Sequence, residues 1–187
     1  MGELIDGKKI ALSIKEEIKE IVGKMEDKPK LTAVQVGENP ASRVYVNNQK
    51  KAAEELGIGY ELVEMADTTS KDELASQIEK LNNDPAVSGI ILQMPLPEGL
   101  DAKDFQALIS SLKDVEGLNP ANLGKLVLGE IGLAPCTAMA VWEIIKRENI
   151  DIKGKEAVIV GHSAIVGKPV NMLLLSSLNE SATTTCC

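Results

Sequence analysis

The segment "VYVNNQKK" (Val44–Lys51) gathers a phenol, two asparagine amides, a glutamine and two lysines within two helical turns. In a helix turning about 100° per residue, Gln49 lies some 40° from Tyr45, whereas Lys50 and Lys51 lie roughly 140° and 120° away. The phenol and the carboxamide therefore share a face, and the ammonium groups do not. Such a face can orient a ligand through hydrogen bonds, but an amide has no accessible pKa with which to move a proton. A second stretch, "VIVGHSAIVGKPV", puts Gly161 at a strand end and Gly167 six residues later at the start of an apolar helix. This is not the G-x-G-x-x-G spacing, yet glycines let the backbone turn tightly and approach a ligand, and helix N-terminal N–H groups favour an anion. Ser163 adds a hydroxyl. By themselves these residues suit either a dinucleotide loop or a plain α/β turn.

The elements that must carry these residues follow from apolar periodicity. Ile10, Ile14, Ile18, Ile21, Val22 and Met25 recur at helical spacing among Lys and Glu, which predicts an amphipathic helix. "LTAVQVG" reads as a buried strand. Asn39 followed by Pro40 marks a helix start, and that helix should run through Leu56 to the breaker Gly57. "YELVEM" is a second strand, "SKDELASQIEKLNND" a capped helix, and "VSGIILQM" a near-continuous apolar strand of the buried parallel type. Strand and helix alternate, which predicts a parallel α/β sheet. From Leu96 to Leu133, prolines and glycines punctuate short segments, so this region is expected to be loop-rich. Thr137 should cap a connecting helix over "AMAVWEIIKREN", and "KGKEAVIVG" then opens a new strand–loop–helix unit.

Composition narrows the function classes. The 187 residues carry a net charge of −8 and only four aromatics, Tyr45, Tyr60, Phe105 and Trp142, which offers neither a basic face nor stacking platforms for nucleic acid. The longest apolar run is too short to span a bilayer, and the opening residues lack the pattern of a secretory signal. A cytoplasmic protein with no membrane partner is expected. Cys136 and the adjacent Cys186 and Cys187 form neither a disulfide framework nor a C-x-x-C metal spacing, so no metal is expected.

In order along the chain, "VGENPASRVYVNNQKKAAEELGI", "GIILQMPLP", "KDVEGLNPANLGKL", "APCT" and "GKEAVIVGHSAIVGKPVNMLLL" closely resemble the bifunctional 5,10-methylenetetrahydrofolate dehydrogenase/5,10-methenyltetrahydrofolate cyclohydrolase family. The resemblance implies an N-terminal α/β substrate domain followed by a Rossmann domain, with folate in the cleft between them. It divides this chain into a folate-binding catalytic domain at 1–136 and, at 137–187, the connecting helix with the first part of an NAD(P)-binding Rossmann domain. Family members are longer, and "ESATTTCC" looks like the second Rossmann strand, so the chain is expected to stop inside the cofactor domain.

Residue by residue, the resemblance implies that Tyr45 packs beside the bound folate, that Gln93 of "QMPLP" faces the folate from the end of the third strand, and that Pro95 shapes the pocket wall. The family's catalytic lysine falls on Gln49. The aspartate that holds the pterin ring falls on Glu116, one methylene longer, while Asp114 is read as structural. Gly161, His162, Ser163, Val166, Gly167 and Pro169 match the cofactor loop. There the family commonly has Gly-Arg-Ser, and its arginine grips the 2′-phosphate of NADP. With His162 in that place, the cofactor is NADP or NAD. The implied activity is oxidation of methylenetetrahydrofolate by hydride transfer, in a homodimer when full length. The cyclohydrolase step is in doubt at Gln49. A fully bifunctional enzyme and a non-catalytic folate-binding member remain as alternatives.

Overall fold

A computed structural model describes residues 4–176 and 181–187. It divides into two compact units, one formed by Ser13–Val115 and the other by Glu116–Cys187 with the start of the chain up to Leu12.

Within Ser13–Val115 three parallel strands stand in the order β2-β1-β3. They are β1 (Lys30–Val36), β2 (Gly59–Met65) and β3 (Gly89–Leu92). Leu31 aligns with Tyr60 on one side and Gly89 on the other. β1 is central and buried from Thr32 to Val36, as expected for a strand covered on both faces. Helix α1 (Gly7–Lys24) shows the predicted periodicity but buries only Val22 fully. Helix α2 (Pro40–Leu56) begins and ends where Asn39–Pro40 and Gly57 require, and Gly57 takes a left-handed φ of 75°. Helix α3 (Lys71–Asn83) opens with a complete capping box between Ser70 and Glu73. The resulting hydrogen bonds from the Ser70 backbone and hydroxyl hold the Glu73 carboxyl below its usual range. The core consists of Val34, Val36, Leu74, Ile78, Ile90, Leu92 and Phe105 with their neighbours.

The region expected to be loop-rich contains two short helices. Helix α4 (Ala102–Leu108) is capped by Asp101 and buries Phe105. The Asn82 side chain spans from α3 to the end of α4, donating to Leu108 O and accepting from the Ser110 N–H, both at 2.8 Å. Helix α5 (Pro120–Val127), in the other unit, is capped by Asn119 with proline in its first turn. The punctuation there marks the ends of helices rather than their absence.

In that unit, α6 (Cys136–Arg147) starts one residue before Thr137. Pro135 occupies the cap position without a side-chain bond, and Thr137 lies inside the first turn, so it does not cap the helix. Strands β4 (Glu156–Ile159) and β5 (Thr183–Cys186) pair in parallel, connected through α7 (Gly167–Leu175). Leu126, Ala134, Ala138 and Leu173 form the core, with Trp142 and Val170 packed against it. The fold is thus α/β with parallel sheets in both units. No helix among the described residues is long and apolar enough to cross a membrane.

Candidate functional site

Helix α2 turns a narrow stripe toward the sheet. Ser42, Val46 and Ala53 are each 5% exposed, and Gln49 is half-buried on the same stripe. Ser42 Oγ donates to Met94 O at 2.8 Å, joining the helix to the turn after β3, where the Met94–Pro95 peptide is cis. Gln93, 7% exposed, extends β3 by donating its N–H to Val34 O. Its side chain then reaches α2: Gln93 Nε2 donates to Gln49 Oε1 at 2.6 Å. A third group completes the cluster. Tyr60, near the start of β2, donates its hydroxyl to the same Gln49 Oε1 at 3.3 Å. Burial pushes the Tyr60 phenol above its ordinary pKa.

Tyr45 lies at the margin of this stripe, one turn before Gln49, and is 69% exposed. Lys50 and Lys51 are exposed, as the helix angles predict. Gln49, Gln93 and Tyr60 therefore meet in one cluster, with Tyr45 on the same helix and Pro95 two residues beyond Gln93. Pro95 lines an open cleft of about 820 Å³ with Val36, Gly37, Met65 and Pro97. The cleft lies outside the carboxyl ends of β1 and β2, where open parallel sheets take ligands. Tyr60 is the member of the cluster that the sequence pattern does not mark. It stands eleven positions from Gln49 in a different element, and the only hint was a polar-tipped aromatic in a half-buried strand.

Asp114 is 3% exposed and forms a parallel bridge with Ile90. Glu116 is the first residue of the other unit and is half-buried.

The glycine loop is built from backbone. Gly161 has φ 118°, and a Cβ on Gly167 would lie 1.8 Å from Gly161 O, so two stretches of main chain touch where no side chain fits. Ser163 Oγ accepts from the N–H groups of Val166, at 3.1 Å, and Gly167, at 3.5 Å. Its oxygen is thereby committed to closing the loop onto α7. Gly167 and Pro169 are buried, Val166 is half-buried, and His162 is exposed. The N–H groups of His162, Ala164 and Ile165 donate to no protein acceptor among the described residues. Close-packed glycines and open N–H groups before a helix fit a phosphate-bearing dinucleotide. Among the described residues no cluster of His, Cys, Asp or Glu suits a metal ion.

Comparison with known proteins agrees with both regions. Residues 5–116 match the catalytic domain of tetrahydrofolate dehydrogenase/cyclohydrolase, and residues 135–187 match its NAD(P)-binding domain. The chain is 46% identical to "Bifunctional protein FolD" of Agathobacter rectalis over 190 residues, covering 100% of this chain and 67% of that protein. The Moorella thermoacetica protein of the same name is 45% identical, with 100% and 66% covered. Among solved structures, the bifunctional methylenetetrahydrofolate dehydrogenase/cyclohydrolase FolD of Campylobacter jejuni superposes with a TM-score of 0.92 at 40% identity, over 97% of this chain and 65% of that one. The Trypanosoma brucei methylenetetrahydrofolate dehydrogenase-cyclohydrolase, solved with NADP and inhibitor, gives 0.90 at 32%, over 99% and 64%. The chain spans about two thirds of the length of these relatives. It belongs to the tetrahydrofolate dehydrogenase/cyclohydrolase family.

Proposed function

We propose that the full-length protein oxidises 5,10-methylenetetrahydrofolate to 5,10-methenyltetrahydrofolate by hydride transfer to NAD or NADP, and that its hydrolysis of the methenyl product is weak. The observation that carries this reading is the 2.6 Å bond between the carboxamides of Gln93 and Gln49, at the position where the resemblance places a catalytic lysine. Hydride transfer needs two rings held in contact and no obligatory protein base. Hydrolysis needs a proton managed at the attacking water and at the leaving nitrogen, and two paired amides cannot supply it. The Tyr60 phenol, held protonated by burial, is no base near neutral pH either.

In this reading Tyr45, Gln49, Gln93 and Pro95 form the folate wall, with Glu116 holding the pterin ring. Gly161, His162, Ser163, Val166, Gly167 and Pro169 hold the dinucleotide, whose nicotinamide supplies the hydride acceptor. Residues 1–136 serve as the folate-binding domain and 137–187 as the opening of the cofactor domain, in a cytoplasmic homodimer. A second reading, full bifunctionality, is favoured by relatives that are named bifunctional.

The test follows cofactor reduction and methenyl absorbance decay in parallel on the full-length protein, with buffer-catalysed hydrolysis subtracted. Oxidation with slow decay is expected. Comparable rates for the two steps establish the bifunctional reading, and folate binding without turnover establishes a non-catalytic member.

A further inference from the structure

Gln49 Oε1 has two acceptor positions, and both are taken: Gln93 Nε2 occupies one at 2.6 Å and the Tyr60 hydroxyl the other at 3.3 Å. Gln49 Nε2 donates to no protein acceptor among the described residues. The carboxamide is thus fully engaged on its oxygen side and open on its nitrogen side.

Two facing amides alone would not choose this arrangement. If both rotated together, Gln49 Nε2 could donate to Gln93 Oε1 and leave Gln49 Oε1 open instead. The phenol breaks the tie. Its proton has Gln49 Oε1 as its only protein acceptor among the described residues, so the rotated arrangement leaves a half-buried O–H unmade, which costs more than leaving an acceptor unfilled. We infer that Tyr60 is a positioning residue for Gln49: it fixes the carboxamide so that position 49 meets a bound ligand as an N–H donor, and the ligand group beside Tyr45 must carry an acceptor atom there. This inference rests on reading the Tyr45–Gln93 wall as folate-facing. A reduced folate carries ring carbonyl and nitrogen acceptors of that class, and the side chain that would otherwise deliver a proton becomes a fixed recognition contact.

The test is a double-mutant cycle on the full-length protein, read as the dissociation constant for 5-formyltetrahydrofolate, a stable reduced folate, by calorimetry. Tyr60→Phe keeps the ring and removes the lock. It is expected to weaken binding about 3- to 10-fold, the range of one net hydrogen bond. Gln49→Met, of similar length without a donor, is expected to weaken binding by at least as much. In the Gln49→Met background, Tyr60→Phe should then have no further effect, whereas a merely structural tyrosine would cost the same in both backgrounds. Equal costs overturn the proposal, as does an unchanged dissociation constant in Tyr60→Phe. If Tyr60→Phe fails to fold, Gln49→Met decides alone, and unchanged binding in that variant overturns the proposal. Absence of folate binding by the unmodified protein is a separate outcome that sinks the underlying functional reading.

Discussion

The α2 wall and the glycine loop are built in opposite ways for the ligands proposed for them. At the wall, side chains from β2 and the end of β3 converge on one side-chain oxygen of α2, and the chemistry depends on which groups those three side chains bear. At the loop, main chain approaches main chain, side chains such as His162 are exposed, and the groups open to a ligand are N–H donors that every residue except proline owns. A substitution at the wall should change what the protein does. A substitution at the loop should be tolerated or ruinous, according to whether it touches a glycine.

The sharpest test of this contrast is Gln49→Lys. The new ammonium would meet one acceptor already in place, Tyr60 Oη, and a second, Gln93 Oε1, once the Gln93 amide rotates. Methenyltetrahydrofolate hydrolysis by the full-length variant should rise by about 10²- to 10⁴-fold, the usual worth of general acid–base catalysis, while cofactor reduction changes far less. Parallel assays decide, and equal changes in both steps would remove the distinction drawn at the wall. Next in size is Gly167→Ala. The added methyl would fall on Gly161 O, and the expected cost is on the order of 3 kcal/mol, read by chemical denaturation and by loss of dinucleotide affinity. Folate binding should persist, and retention of full cofactor affinity would show that the loop has room to relax.

His162→Arg tests tolerance at the same loop. A permanent guanidinium should raise the preference for NADP over NAD roughly tenfold, one charge-assisted contact, with no loss of stability. An unchanged cofactor ratio would mean that position 162 faces away from the ribose. The smallest effect is a control outside both regions. Ser70→Ala should destabilise the protein by about 1 kcal/mol without altering either ligand. Glu73 is held below its ordinary pKa first by the Ser70 backbone N–H, which alanine keeps, and then by the Ser70 hydroxyl, which it removes. Only the hydroxyl's share of the penalty is present above the usual carboxylate range and lost as pH falls through the folded-state value. Denaturation curves at neutral and acidic pH should therefore show the Ser70→Ala penalty shrinking in acid.

Local signals located most of the framework that carries these sites. Asn39–Pro40 and Gly57 bounded α2 to the residue, because caps act through backbone groups next to them in sequence. The same Asn–Pro pair recurs at Asn119–Pro120, where it opens α5, but a helix of 8 residues carries too little periodicity to outweigh the glycines around it. Helix α6 illustrates a different limit. Thr137 is a good capping residue by type, yet the chain turns at Pro135, and packing of Ala138 into the core fixes where the helix begins. The cluster at Gln49 was half legible. The angle between Tyr45 and Gln49 follows from helix geometry alone, whereas the meeting of Gln49 with Tyr60 depends on how α2 lies over the sheet, which no spacing along the chain encodes.

The Asn82 bridge has a kinetic consequence. Its carboxamide bonds both a donor and an acceptor of the main chain where α4 ends, so the Ser110 amide owes its hydrogen bond to a side chain on α3 and not to its own neighbours. Hydrogen exchange at Ser110 should consequently follow the opening of α3 rather than the fraying of α4, and Asn82→Ala should uncouple the two, leaving the exchange of Leu81 unchanged while Ser110 loses its protection.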